Sequence, residues 1–100
     1  MALYLVHHSH TDETCPAKNP KLLRIFAAHI NQTNGDKYGI KILADFVNDP
    51  EHTVILVLEA DSMDKVQNFV TPLINVGPTT IKEGYTCEQV AQQCLKANDS

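Results

Sequence analysis

The chain is predicted to fold as an α+β domain in which a four-stranded antiparallel sheet carries two helices on one face and a further helix follows at the C-terminus. Segments with alternating apolar residues, typical of strands, are interleaved with segments whose apolar residues recur every three or four positions, typical of helices. Their order along the chain is βαββαβ followed by a helix. With 100 residues, the chain has room for one domain, so residues 1–100 are treated as one unit.

The first half of the chain supplies a strand, a helix and a second strand. Residues 2–10 are predicted to form the first strand, in which successive side chains lie on opposite faces of the sheet. After a loop, Asn19 is a good helix N-cap and Pro20 suits the first helical position. Apolar spacing then predicts an amphipathic helix over residues 20–33. Residues 40–47 alternate again and form the second predicted strand.

The second half repeats the pattern after a turn at residues 48–51, which predicts a hairpin. Residues 52–60 form the most apolar segment of the chain and are predicted to be a central strand. A helix over residues 63–74 ends before Gly-Pro, and residues 79–85 form a shorter fourth strand. Residues 87–96 are predicted to form the last helix.

Two right-handed βαβ crossovers arrange these strands in the order 4-1-3-2, which is the ferredoxin-like fold. The side chains predicted to face the helices are Leu3, Leu5, Ile40, Ile42, Val54, Leu56 and Leu58. Those predicted on the opposite, open face are Tyr4, Val6, Leu43, Val47, Ile55 and Val57. Such an apolar face is typical of an interface, so a homodimer with the two sheets face to face is expected.

The element order, with Val57-Leu58-Glu59-Ala60-Asp61 ending the third strand before a helix, resembles the dimeric α+β barrel superfamily and its small stand-alone GYD-type members. The resemblance extends over residues 2–82. The Gly-Tyr-Asp signature would fall near residues 51–53, where this chain has Glu-His-Thr. The superfamily includes monooxygenases, isomerases, haem enzymes and ligand-binding domains, so the resemblance implies a dimer without selecting a function.

Composition argues against two classes of partner and indicates a compartment. Eight Lys and Arg stand against 12 Asp and Glu, and there is no Trp, which disfavours nucleic-acid binding. The apolar run over residues 54–58 is too short to span a bilayer. The N-terminus lacks the charged region of a signal peptide, and three cysteines without framework spacing favour a reduced, cytoplasmic protein.

A cluster of histidines at the end of the first strand is the main candidate site. His8 and His10 are two apart on a strand, so both side chains point the same way, about 6 to 7 Å apart at the backbone. Cys15 lies on the following loop, which can fold back, whereas His7 points oppositely and is the weaker ligand candidate. Imidazole and thiolate ligands favour zinc or copper over iron. Haem remains an alternative cofactor for which no residue stands out as axial ligand.

A carboxylate is predicted near this cluster. The first and third strands are predicted to be parallel neighbours, which places Glu59 on the open face near the histidine end of the first strand, close to His8. Glu59 is then a candidate metal ligand, a partner that orients an imidazole, or a general base. Asp45 shares that face, nearer the other end of the sheet.

The remaining histidines and cysteines are interpreted as structural. His29 and His52 are isolated in the sequence and carry no ligand spacing. Cys87 and Cys94 lie on one face of the last helix and are interpreted as small buried hydrophobes.

Three functions follow from these features. The first is a small metal-binding protein with a His/Cys site, serving metal handling, sensing or redox chemistry. The second is a metal-free enzyme, a monooxygenase or isomerase acting on a small organic molecule, with His8 and Glu59 as acid-base groups in a pocket between sheet and helices. The third is a non-catalytic dimeric binding module.

Overall fold

The structure, a computed structural model, describes residues 2–13, 15 and 18–99, with side chains to residue 96. The elements are β1 (Ala2–Ser9), α1 (Pro20–His29), α2 (Gln32–Tyr38), β2 (Lys41–Asn48), β3 (Thr53–Ala60), α3 (Met63–Phe69), α4 (Thr71–Val76), β4 (Thr79–Gly84) and α5 (Cys87–Asp99). The strands form one sheet ordered β2-β3-β1-β4, with every neighbouring pair antiparallel. The predicted ferredoxin-like fold class is confirmed.

The hydrophobic core lies between the sheet and the first four helices. Val6 and Leu58 on the central strands and Phe69 on α3 are completely buried. The Phe69 ring contacts the rings of Tyr38 and His29, with centroids 5.7 and 5.6 Å apart. Because these two partners end α2 and α1, Phe69 anchors three helices to the same face of the sheet.

The predicted orientation of β1 is wrong. Tyr4 and Val6 are buried beneath the helices, whereas Leu5 is 44% exposed on the open face. Both alternating sets of β1 are apolar, so a period of two does not decide which set faces the core. His8 belongs to the buried set, which moves it away from the open face.

A bulge in β2 reverses its alternation halfway along the strand. The register against β3 shifts between Ile42 and Ala44, and an extra residue of this kind turns the following side chains to the other face. Asp45 and Val47, both predicted on the open face, therefore lie on the side of the helices. Phe46 takes the open face instead, where it is 55% exposed.

Each of the two long predicted helices is divided in two. Asn31 begins a new helix, since its side chain accepts from Asn34 N–H at 2.8 Å while its amide donates to Ala27 O at 2.9 Å. The second helix stops at Phe69, and Pro72 stands in the first turn of the next one. Proline lacks the N–H that an uninterrupted helix needs and is tolerated at a helix start.

The last helix projects from the rest of the chain. All side chains of residues 87–96 are exposed. The interpretation of Cys87 and Cys94 as buried hydrophobes is therefore wrong, since both are exposed free thiols. Within the described part of the chain, α5 included, no helix has the length and apolarity needed to cross a bilayer.

Candidate metal centre

Three donor side chains converge where β1 ends and β3 begins. His10 follows β1, His52 precedes β3, and Cys15 lies on the loop between β1 and α1. One ligand atom from each lies within 4.8 Å of the other two. Ligand atoms around a tetrahedral metal are roughly 3.5 Å apart, so side-chain shifts of about 1 Å suffice to close the site. This His-Cys-His group could bind a transition metal ion.

The hairpin turn between β2 and β3 places His52 beside His10. His52 has a φ of 53°, in the left-handed region, where histidine is one of the better tolerated residues other than glycine. Its N–H donates to Asp49 O at 3.1 Å, and its own carbonyl accepts from His10 N–H at 3.1 Å. The two ligand-bearing backbones are thus joined directly.

The connection between α4 and β4 holds the end of β1 from the other side. Ser9 N–H donates to Pro78 O at 3.0 Å. A Cβ atom at Gly77 would overlap Ser9 O and lie 3.3 Å from the Cα of His10. Only glycine allows this approach, so position 77 helps to fix the backbone of a ligand residue.

A chain of hydrogen bonds defines which nitrogen of His10 is free. Thr79 Oγ1 donates to Gly77 O at 3.1 Å, so it accepts from His8 Nδ1 at 2.9 Å. A neutral His8 protonated at Nδ1 can only accept at Nε2. That atom lies 3.2 Å from His10 Nδ1, which therefore carries the proton, and the lone pair of His10 is on Nε2. His8 thus orients His10.

The imidazoles of His8 and His10 are both neutral at pH 7. Burial, and then the nearby His10 and His7, lower the pKa of His8 from 6.5 to about 4. The pKa of His10 is lowered mainly by burial and then by His52, while Asp49 acts in the opposite direction. A neutral imidazole offers a lone pair, which is the form that binds a metal.

His52 has a buried ring nitrogen that finds no hydrogen-bond partner within the described residues. Among the described residues nothing hydrogen-bonds to its Nδ1, although that atom is buried. Its Nε2 lies 3.6 Å from Asp12 Oδ1, and Asp12 is paired with Lys18. A buried polar atom left unpaired costs about 1–3 kcal/mol, so a bound ion at Nδ1 would remove this penalty. A carboxylate facing the other nitrogen is the usual environment of a metal-bound histidine.

Cys15 is buried, with 3% of its surface exposed, and it is not in a disulfide. Its Sγ lies 4.0 Å from Asp49 Oδ1, which suits a weak thiol donor in the metal-free protein. Metal binding would replace that proton, because the thiolate is the form that ligates.

A cavity of about 350 Å³ opens beside this cluster, between the sheet and α1. His10 and Cys15 form part of its wall, so two of the three donors face the same space. The other lining residues are Leu23, Phe26, Ala27, Ile30, Asp45, Val47, Asp49, Val54, Leu56 and Leu73.

The structure brings only some of the predicted site residues together. His8 and His10 point the same way, with ring centroids 5.3 Å apart, as predicted. His7 is exposed on the opposite face, opposite Ile55 in the register. Glu59 pairs with Leu3 at the far end of β1, because β1 and β3 are antiparallel. The prediction that they are parallel is wrong, and with it the pairing of His8 and Glu59 in one pocket.

The wrong strand direction also explains why His52 was not predicted to be a ligand. In an antiparallel pair, the beginning of β3 lies beside the end of β1, so His52 falls next to His10 rather than at the opposite edge. The signal was a histidine directly after a turn and directly before the central strand. His29, by contrast, packs on Phe69 and Tyr38, in keeping with a structural role.

Comparison with known proteins assigns neither a family nor a function to the chain. No protein-family model matches the chain, and no curated protein matches it. Among solved structures, the chain is similar to aspartokinase III of E. coli in complex with lysine and aspartate in the T-state. The TM-score is 0.43 and the sequence identity 18% over 83% of this chain. The chain spans 17% of the length of the aspartokinase chain.

Proposed function

We propose that this protein binds one transition metal ion through His10 Nε2, Cys15 Sγ and His52 Nδ1. The observation that carries the proposal is the convergence of two imidazoles and one thiol within 4.8 Å, with a buried nitrogen of His52 left unpaired among the described residues. Zinc and copper suit this mixed nitrogen and sulfur set better than iron does.

In this proposal the predicted ligands take different roles. His10 and Cys15 stay ligands, and His52 joins them. His8 becomes the group that orients His10, because its Nε2 is already 3.2 Å from His10 Nδ1. His7 is not a ligand, since it is on the other face of the sheet. Three protein ligands leave one tetrahedral position for an exchangeable group, which suits metal handling or chemistry at the ion rather than a closed structural site.

The proposal is tested by loading tag-free protein with Zn²⁺ and with Co²⁺ and measuring stoichiometry by mass spectrometry. We expect one equivalent, and with Co²⁺ an intense thiolate-to-metal absorption band. Cys15→Ser should remove that band and weaken Zn²⁺ binding by at least about tenfold, because a soft anionic ligand is lost. Cys94→Ser, which changes an exposed thiol on α5, is the matched control and should change neither. A band that persists in Cys15→Ser protein would contradict the assignment.

We also propose that two copies associate through the open face of the sheet. What supports this is an apolar surface centred on β3 and β2, in which Phe46 is 55% and Leu5 44% exposed. Ile55 and Val57 lie between them and are only partly covered within one chain. Exposed apolar patches of this kind are typical of interfaces.

Val57→Asp is expected to weaken the dimer by at least about tenfold, because a two-fold interface would bury the new charge twice. Sedimentation equilibrium over a range of concentrations measures the effect. Val90→Asp places the same charge at a site on α5 that is already 45% exposed and should leave the association unchanged. Equal effects of the two substitutions would place the interface elsewhere.

A further inference from the structure

The cavity beside the metal centre has the size and lining of a small-molecule site. Its volume of about 350 Å³ falls in the range of ligand pockets, which are mostly apolar with a few polar groups. Phe26 of α1 and Ile30 directly after that helix line one side, and Leu56 of β3 lines the other. Eight of the lining side chains are apolar, so a ligand would bury mainly hydrocarbon there.

The polar groups of the cavity are unevenly placed along it. His10 and Cys15 stand at the end where β3 begins, beside Asp49. The cavity then extends along β3 to Leu56, four residues beyond His52 and therefore about 13 Å away. A molecule in the cavity would thus have one end at the metal centre and its body among apolar side chains.

The charges at the rim restrict what can enter. Asp45 of the edge strand β2 and Asp49 of the turn that follows it both line the cavity and are both exposed. The described lining contains no Lys or Arg. Apart from the proposed metal ion, nothing in the described lining offsets these two negative charges, so they disfavour an anionic ligand relative to an uncharged one.

We propose that this cavity binds an uncharged apolar molecule whose single nitrogen or sulfur donor completes the coordination of the metal. This inference rests on the proposed metal site, because the donor occupies the position that His10, Cys15 and His52 leave open. The apolar body of the molecule lies between α1 and β3.

The test uses Co²⁺-loaded protein and three probes: 4-phenylimidazole, imidazole and benzoate. We expect 4-phenylimidazole to change the visible Co²⁺ spectrum and to bind about 10- to 100-fold more tightly than imidazole, since its phenyl ring is buried. Benzoate is similar in size but anionic. It should bind at least about 10-fold more weakly than 4-phenylimidazole.

A matched pair of variants separates the cavity from the metal. Ala27→Phe adds a ring to the lining of the cavity, while Ala28→Phe adds one at the next position of α1, which does not line it. Ala27→Phe should weaken 4-phenylimidazole about tenfold and leave imidazole binding unchanged; Ala28→Phe should affect neither. Equal affinities of 4-phenylimidazole and imidazole, or equal effects of the two variants, would overturn this inference alone. Failure of Co²⁺ to give a thiolate band would overturn it together with the metal site.

Discussion

His52→Ala protein is expected to bind Zn²⁺ more than about 100-fold less tightly than the unchanged protein. The substitution removes one of three proposed ligands, and loss of a group that only orients a ligand already costs 10- to 100-fold. His52 is held in place by the backbone hydrogen bond from His10. The neighbouring imidazole, His8, is hydrogen-bonded at both ring nitrogens and is not free to replace it. Competition with a chelator of known affinity measures the change.

Two further histidine variants make this prediction specific. His8→Gln removes the group that orients His10. It should weaken Zn²⁺ binding by about 10- to 100-fold, less than His52→Ala does. His7→Ala changes an exposed histidine on the other face of the sheet and should leave Zn²⁺ affinity unchanged. The expected order of damage is therefore His52, then His8, then His7. If His7→Ala were as damaging as His52→Ala, the loss would reflect general histidine binding rather than this site.

The second large effect is a loss of stability in acid, measured on metal-free protein in the presence of chelator. The pKa of His8 is about 4 in the folded chain against 6.5 as its ordinary value, because burial opposes its charged form. Between these two values the unfolded chain binds a proton that the folded chain does not. Proton binding by the unfolded chain therefore does not reduce the free energy of unfolding above pH 6.5, and it reduces this free energy progressively as the pH falls toward 4. A difference of this size corresponds to about 3 kcal/mol.

Urea unfolding at several pH values between 7 and 4 tests this expectation. The free energy of unfolding should fall more steeply for the unchanged protein than for His8→Gln protein, whatever the starting stability of the variant. His7→Gln is the control, since that side chain is exposed and should keep the steep dependence. Parallel curves for the unchanged and His8→Gln proteins would show that His8 titrates alike in the folded and unfolded chains.

The order of the elements could be predicted from periodicity, while their orientation could not. A period of two marks β1 as a strand, but both Leu5 and Val6 are apolar, and only the packing of the helices decides which is buried. The bulge after Ile42 reverses the faces of β2. The strand contains no proline or glycine from which a bulge could be predicted. The two long predicted helices are each broken near one residue, Asn31 and Pro72, which stand at the starts of new helices. Neither residue interrupts the apolar spacing from which the long helices were predicted.

The candidate site was predicted in part, because two of its three donors are close in sequence. His10 and Cys15 are five residues apart and share one loop, so a local pattern finds them. His52 comes from another strand, and its proximity is a property of strand direction rather than of spacing. The same direction separates Glu59 from His8, so one topological fact accounts for both the missing donor and the misplaced carboxylate.

The projecting α5 gives the molecule a hydrodynamic signature. Its extents are 56 × 29 × 18 Å and its radius of gyration is 15.7 Å, against about 13 Å for a compact chain of this length. A single copy will therefore experience more frictional drag than a sphere of equal mass and will elute early from a sizing column. Early elution alone would make one copy resemble two. Sedimentation equilibrium, in which friction cancels, reports the mass itself, so it is the method that can distinguish an elongated monomer from a dimer formed through the sheet.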